Sequence, residues 1–134
     1  MKRTSFLTAA LLLAAPPSAQ SAPDCSKAVA QSDLNQCAAA EYEAADKQLN
    51  LVWKQAREKA KEIDAGLEGS LKGAEEALLA AQRGWIAYRD GHCKLAGFEA
   101  RGGSMEPMLV SGCLAETTRL RTRQLQDFVA GEDR

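Results

Sequence analysis

The sequence predicts an all-α protein, an up-down bundle of three helices stapled by two disulfide bonds. Apolar residues recur at three- and four-residue steps through three long stretches, as on one face of an α-helix. Glycine-containing segments separate these stretches, and no segment of any length has strand-like alternation. The chain contains four cysteines, an even number that favours two disulfides in a small exported domain.

Residues 1–21 have the organisation of a secretory signal peptide. Lys2 and Arg3 give a basic start, an apolar run follows over residues 6–15, and residues 19–21 (Ala-Gln-Ser) form a small-x-small cleavage site. The apolar run is too short to span a bilayer. We therefore expect cleavage near Ala22 and one mature domain over residues 22–134, periplasmic or secreted, without stable membrane insertion.

The first helix is predicted over residues 33–63. Ser32 is a suitable N-cap, and no glycine or proline follows it within this range. The segment DAGLEGS then interrupts the pattern with two glycines. The predicted buried face comprises Leu34, Ala38, Tyr42, Ala45, Leu49, Val52, Ala56 and Ile63.

The second and third helices are predicted over residues 71–97 and 105–129, separated by the segment ARGGS. Ser104 can cap the third helix, and Pro107 is acceptable in its first turn. Short connections favour antiparallel neighbours. The predicted inner face of the second helix comprises Leu71, Leu78, Ala81, Trp85, Tyr88, His92 and Leu95, and that of the third comprises Leu114, Thr118, Arg121, Leu125 and Phe128.

The four cysteines allow three pairings. We favour the two local ones, Cys25–Cys37 and Cys93–Cys113, because each closes a segment between helices. A structural zinc site is the competing interpretation, but such sites usually have closely spaced ligands, and His92 is the only histidine. We expect neither a metal nor a cofactor.

Polar residues interrupt the predicted helix faces. A buried arginine needs a partner, and a carboxylate matches the planar fork of its guanidinium. We therefore predict that Asp46 pairs with Arg89, with Arg121 nearby. The predicted structural network contains Asp46, Asn50, Gln82, Arg89, Thr118 and Arg121.

Four segments together resemble the LprI-type lysozyme-inhibitor domain, a group of small exported bacterial proteins. They are LNQCAAAEYEAADKQLNLVW, LAAQRGWIAYRDGHC, RGGSMEPM and CLAETTRLRTRQL. The resemblance extends from Asp24 to Phe128, with Trp53 standing where the family pattern suggests tyrosine. It implies a helical, disulfide-bonded, exported domain and a candidate inhibitor of lysozyme.

Several function classes are disfavoured. The chain has 17 basic and 18 acidic residues, which argues against a nucleic-acid partner. Cys93 beside His92 resembles a nucleophile and its base, but a disulfide-bonded sulfur cannot attack a substrate. The acidic residues show no glycosidase pattern, and no Walker phosphate loop is present. We expect no catalytic residue.

Two binding functions remain. In the first, the protein inhibits a lysozyme-type muramidase in the cell envelope, and a loop between the second and third helices enters the enzyme's cleft. In the second, a periplasmic adaptor or stress protein binds another envelope component through its helix faces, without inhibition. The candidate binding loop contains Arg101, Gly102, Gly103, Ser104 and Met105.

Overall fold

The computed structural model describes residues 22–131, which form three α-helices and no β-strand. The predicted all-α three-helix bundle is confirmed, whereas the predicted signal peptide lies outside the described residues. Within this range, no helix combines the length and apolarity needed to cross a bilayer. The helices are α1 (Gln31–Ala65), α2 (Ala74–Ala96) and α3 (Glu106–Ala130), with short 3-10 helices at Gly69–Leu71 and Gly97–Ala100.

The helix starts differ from the sequence prediction. Ala30, not Ser32, is the N-cap of α1, and Ser32 lies in the first turn. Met105, not Ser104, occupies the N-cap position of α3. Both caps lack a side-chain hydrogen bond to the helix. The preference of serine for N-caps therefore did not determine where these two helices begin.

The start of α2 is capped by a side chain from another helix. Gly73 has φ 141°, which ends the preceding segment, so α2 begins at Ala74 rather than at residue 71. The carboxylate of Asp64 accepts the backbone N–H groups of Gly73, Ala74 and Glu75 at 2.7, 2.8 and 3.0 Å. Asp64 thus satisfies backbone donors that have no partner within the helix itself.

The apolar core lies where α1 packs against α3. Leu49, Val52, Ala56 and Leu125 form the buried cluster, and Ala60 and Ala115 are also fully buried. Alanines on both helices permit close approach, because they place little side-chain volume between the two backbones. Trp53, Leu78, Trp85, Phe128 and Val129 cover the edges of this cluster.

The predicted inner face of α2 is only partly correct: Leu78 and Trp85 pack against the core, whereas several other predicted residues do not. The side chains that α2 buries are Gln82, Arg89 and Cys93. Tyr88 and Leu95 are instead 60% and 67% exposed. Cys93 must face α3 to form its disulfide bond with Cys113. The preceding residue, His92, therefore points outward. Other residues placed on predicted inner faces are also exposed: Ile63, Leu71, Ala81 and His92.

Both predicted disulfides are present. Cys25–Cys37 ties the segment before α1 to that helix, with a Cα–Cα distance of 5.7 Å. Cys93–Cys113 joins α2 to α3, with a Cα–Cα distance of 5.3 Å. Each closes a short loop and contributes about 3 kcal/mol in the chain-entropy model. The second bond also brackets the connection that carries the candidate loop.

Candidate functional site

The predicted binding loop, residues 101–105, is exposed along its whole length. It follows the 3-10 helix Gly97–Ala100 and precedes α3, at one end of the bundle. Gly102 has φ +77°, a conformation that residues with a Cβ atom rarely adopt. We call residues 97–105 the tip.

The tip is held by polar contacts on both sides. Asn35, at the start of α1, donates to the backbone carbonyl of Ser104 at 2.9 Å. Glu106 accepts the backbone N–H of Gly102 at 2.8 Å and pairs with the guanidinium of Arg101. The bond from Gly102, together with the adjacent Arg101, holds the pKa of Glu106 below its ordinary value. Arg101 is therefore already engaged within the tip.

Packing fixes the base of the tip. A Cβ atom on Gly97 would lie 2.6 Å from the side chain of Val110, so a larger residue here would require that side chain to move. Sequence reasoning did not identify this requirement, because close approach to α3 is visible only in three dimensions. Phe98 and Met105 remain 52% and 41% exposed. The guanidinium of Arg101 lies 4.7 Å from the centre of the Phe98 ring.

The predicted polar residues fall into two groups rather than one network. In the first group, Arg89 on α2 lies 3.8 Å from Asp46 on α1 and 2.9 Å from its own neighbour Asp90. Asn50 donates to Asp46 at 3.0 Å. The guanidinium also lies 4.9 Å from the ring centre of Trp85. This group joins α1 to α2 around a buried arginine.

The second group joins α2 to α3. Arg121 donates to the side-chain oxygen of Gln82 at 3.0 Å and to that of Gln124 at 3.1 Å. Burial lowers the pKa of Arg121 from its ordinary value. Thr118 is fully buried, and its hydroxyl has no hydrogen-bond partner within residues 22–131. Thr118 therefore belongs to the packed interface of α3 rather than to either polar group.

A groove between α2 and α3 was missed by sequence reasoning. The sequence assigned Tyr88 and His92 to a buried face, whereas both side chains line this groove. Their rings are stacked, with centres 5.3 Å apart. We call this feature the α2–α3 groove, and it is lined by Trp85, Tyr88, His92, Cys113, Glu116, Thr117, Leu120, Arg121 and Gln124.

The described residues offer no evident metal centre. No group of three or more histidine, cysteine or acidic side chains between residues 22 and 131 is arranged to hold a metal ion. All four cysteines are in disulfides, and His92 lies beside Tyr88 in the α2–α3 groove. The arrangement suits the binding of a partner or ligand through the tip and this groove.

Comparison with known proteins gives the chain a family. A relative from Rhizobium meliloti (strain 1021), named as an uncharacterized protein, is 54% identical over 127 residues. The alignment covers 92% of this chain and 91% of the relative. No solved structure matches the chain significantly. The family model "Lysozyme inhibitor LprI" matches residues 23–125, so the chain belongs to the LprI lysozyme inhibitor family.

Proposed function

We propose that this protein is exported to the periplasm or secreted and inhibits a lysozyme-type muramidase by inserting its tip into the enzyme's substrate cleft. Membership of the LprI lysozyme inhibitor family supports the kind of partner. Two disulfides within residues 22–131 support an oxidising compartment. We choose the tip as the contact site because it is exposed and yet held in place by a disulfide, hydrogen bonds and packing.

A preorganised tip suits an inhibitor, because ordering a flexible segment on binding would reduce affinity. The hydrogen bond from Asn35 to Ser104 holds the tip against α1. Glu106 fixes the turn at Gly102, and the disulfide at Cys93 anchors the end of α2. The tip therefore enters a cleft with little loss of conformational freedom.

The exposed side chains of the tip suit an enzyme cleft that contains carboxylates. Phe98 and Met105 offer apolar surface that would be removed from water on binding. Arg101 pairs with Glu106 through one terminal nitrogen, and a guanidinium has five N–H donors in total. Its remaining donors can bind a catalytic carboxylate of the muramidase, while Phe98 and Glu106 hold the guanidinium in place.

The test is muramidase turnover on a cell-wall substrate with an equimolar amount of the mature chain. We expect inhibition by the wild type and at least about tenfold weaker inhibition by the double variant Arg101→Ala with Met105→Ala. The matched control is Leu71→Ala. Leu71 is also exposed, but it lies in the connection between α1 and α2, at the opposite end of the bundle.

The choice of variants follows from the geometry of the tip. Gly103→Val is less suitable, because its Cβ would lie 3.1 Å from the carbonyl oxygen of Ala100 and would disturb the turn itself. Circular dichroism should show that both chosen variants keep the wild-type melting temperature. Absence of inhibition by the wild type would exclude the inhibitor function. Equal inhibition by the double variant would place the contact outside the tip.

The second candidate function, a periplasmic adaptor or stress protein, is favoured by one observation. Tyr88 and Leu95 project from α2 on the same side and are largely exposed, although their spacing is typical of a packed helix face. A partner helix or sheet could cover them. Capture of an envelope protein by the wild type but not by Tyr88→Ala with Leu95→Ala, without any muramidase inhibition, would favour this function.

A further inference from the structure

We propose that the α2–α3 groove binds a saccharide that carries a carboxylate group. The proposed muramidase contact at the tip does not use this groove, although the second candidate function shares Tyr88 with it. The proposal does not depend on muramidase inhibition, because the groove-lining residues lie outside the tip. Three observations support it: a partly buried arginine without an acidic partner, an aromatic wall beside it, and neutral and acidic hydrogen-bonding groups around it.

Arg121 provides the charge. Its two hydrogen bonds go to the side-chain oxygens of Gln82 and Gln124, both neutral amides. No carboxylate among residues 22–131 lies within ion-pair distance of its guanidinium, since none of the ion pairs there includes it. A guanidinium stays charged in proteins, so Arg121 places in the groove a positive charge that no carboxylate of residues 22–131 pairs with directly, although Glu116 lines the same groove.

The other arginines show that this arrangement is unusual in the molecule. Within the described part of the chain, three arginines are buried or half-buried: Arg57, Arg89 and Arg121. Arg57 pairs with Glu75 at 2.6 Å, and Arg89 pairs with Asp90 at 2.9 Å. Charge complementarity therefore indicates that Arg121 takes its carboxylate from a ligand, where a bidentate pair gives both strength and orientation.

The aromatic wall indicates a ring-shaped ligand body. Trp85, Tyr88 and His92 contribute to the same side of the groove, and the last two rings are stacked with an interplanar angle of 10°. Flat aromatic surfaces pack well against the apolar C–H face of a pyranose ring. A groove with an apolar wall and a few convergent polar groups is the usual form of a small-molecule site.

Glu116 distinguishes a sugar acid from a simple anion. Its carboxylate also lines the groove, so its negative charge disfavours a ligand that is held by charge alone. It can instead accept hydrogen bonds from hydroxyl or amide N–H groups, which a saccharide offers and a small anion lacks. Gln124 and Thr117 add further neutral hydrogen-bonding groups.

The experiment uses N-acetylmuramic acid as the probe and N-acetylglucosamine as the matched ligand, because the second sugar lacks the carboxylate-bearing ether of the first. Binding to the mature chain is followed by nuclear magnetic resonance, through the indole N–H of Trp85 and the amides around Arg121. A second arm uses soluble glycan chains. Binding of the free sugar or of the chains alone supports the proposal and distinguishes the two sources of the same chemistry.

The protein variants test the role of the charge. Arg121→Gln should bind N-acetylmuramic acid at least about tenfold more weakly, with Arg121→Lys intermediate. Arg123→Gln is the matched control, because Arg123 is exposed on the same helix and does not line the groove. It should bind as the wild type does.

Three results would overturn the proposal. They are equal and measurable affinity for the two monosaccharides, no saturable binding of either the sugar acid or the glycan chains, and equal weakening by Arg121→Gln and Arg123→Gln. If Arg121→Gln does not fold, Tyr88→Ala decides, because the exposed Tyr88 ring lines the groove without supporting the core. Unchanged affinity in Tyr88→Ala would then also overturn the proposal.

Discussion

The interface between α1 and α3 and the inner face of α2 use different chemistry within one small bundle. Where α1 meets α3, the buried side chains are mainly alanine, valine and leucine, with two threonines. The side chains that α2 buries are Gln82, Arg89 and Cys93. One interface is held by close apolar packing, and the other by directional bonds and a disulfide.

This difference shows that side-chain volume determines how closely two helices approach, whereas polar bonds and the disulfide determine how a helix is rotated. Alanines set how closely α1 and α3 approach, because any added side-chain volume would force them apart. The rotation of α2 is set instead by groups that must meet particular partners: Cys93 with Cys113, and Arg89 with the carboxylates beside it. Because α2 turns these groups inward, it turns Tyr88 and Leu95 outward. The α2–α3 groove is a consequence of this choice.

The largest effect expected from a single substitution is at the apolar interface. Leu125 is 2% exposed and packs with Leu49, Val52 and Ala56. Leu125→Ala should lower the free energy of unfolding by about 3 kcal/mol, because it removes apolar contacts and leaves a cavity. Urea unfolding of the oxidised mature chain measures this change. The control is Leu51→Ala, whose side chain on α1 is 57% exposed and which should cost less than about 0.5 kcal/mol.

A loss at Leu125 no greater than that at Leu51 would contradict this account of the interface. It would mean that the bundle is held mainly by its disulfides and polar groups. The same unfolding experiment under reducing conditions measures how much the disulfides contribute to the free energy of unfolding. There we expect a loss of about 3 kcal/mol for each disulfide, if the chain still folds.

The polar interface should respond less, and unequally at its two partners. Arg89→Ala should cost about 2 kcal/mol, because the guanidinium lies over the rings of Trp85 and Tyr42 as well as beside two carboxylates. Asp46→Ala should cost only about 1 kcal/mol. A cost of roughly 3 kcal/mol or more would require that the Asp46 substitution leave Arg89 buried and unpaired. Arg89 instead keeps Asp90, 2.9 Å away, as a partner after this substitution.

A double-mutant cycle on Asp46 and Asp90 sharpens this prediction. If the two carboxylates share the compensation of Arg89, replacing both should cost more than the sum of the single replacements. Additive effects would show that Asp46 acts independently of Asp90. Urea unfolding is again the measurement, with Asp33→Ala as a control, since Asp33 lies in the first turn of α1, away from Arg89.

The sequence predicted the apolar face of α1 well and that of α2 poorly, for a physical reason. A helical apolar period is clear on α1, so Ala45, Leu49, Val52 and Ala56 were identified and are buried. On α2 the apolar period runs through Tyr88, which is exposed, because tertiary partners determine the orientation of that helix. Local spacing carries no information about such partners.

The disulfides and the exposed loop could be predicted from chain order, since both depend on which segments are connected by short stretches. Other contacts could not. The three backbone bonds to Asp64 join positions 9 to 11 residues apart through a turn whose geometry is not visible in the sequence. The α2–α3 groove required the rotation of α2. Each missed feature depends on a three-dimensional relation between two helices.

The smallest expected effect concerns the Asp64 cap of α2 and its dependence on pH. Three backbone N–H bonds, foremost that from Glu75, hold the pKa of Asp64 below its ordinary value. A carboxyl whose pKa is lower in the folded state stabilises fully above its unfolded pKa, about 4 for aspartate, and less as the pH falls through its folded value. Asp64→Asn should therefore lower the melting temperature at neutral pH, because the charged cap at the start of α2 is lost.

The pH profile separates this cap from a general effect of charge. The difference in melting temperature between wild type and Asp64→Asn should stay constant from neutral pH to about pH 5 and shrink below about pH 4, where the unfolded chain takes up a proton at Asp64 before the folded protein does. The control is Asp127→Asn, at an exposed aspartate near the end of α3. A difference for Asp64→Asn that persists unchanged in acid would show that α2 is anchored by Cys93, Gln82 and Arg89, without help from a charged cap at its first turn.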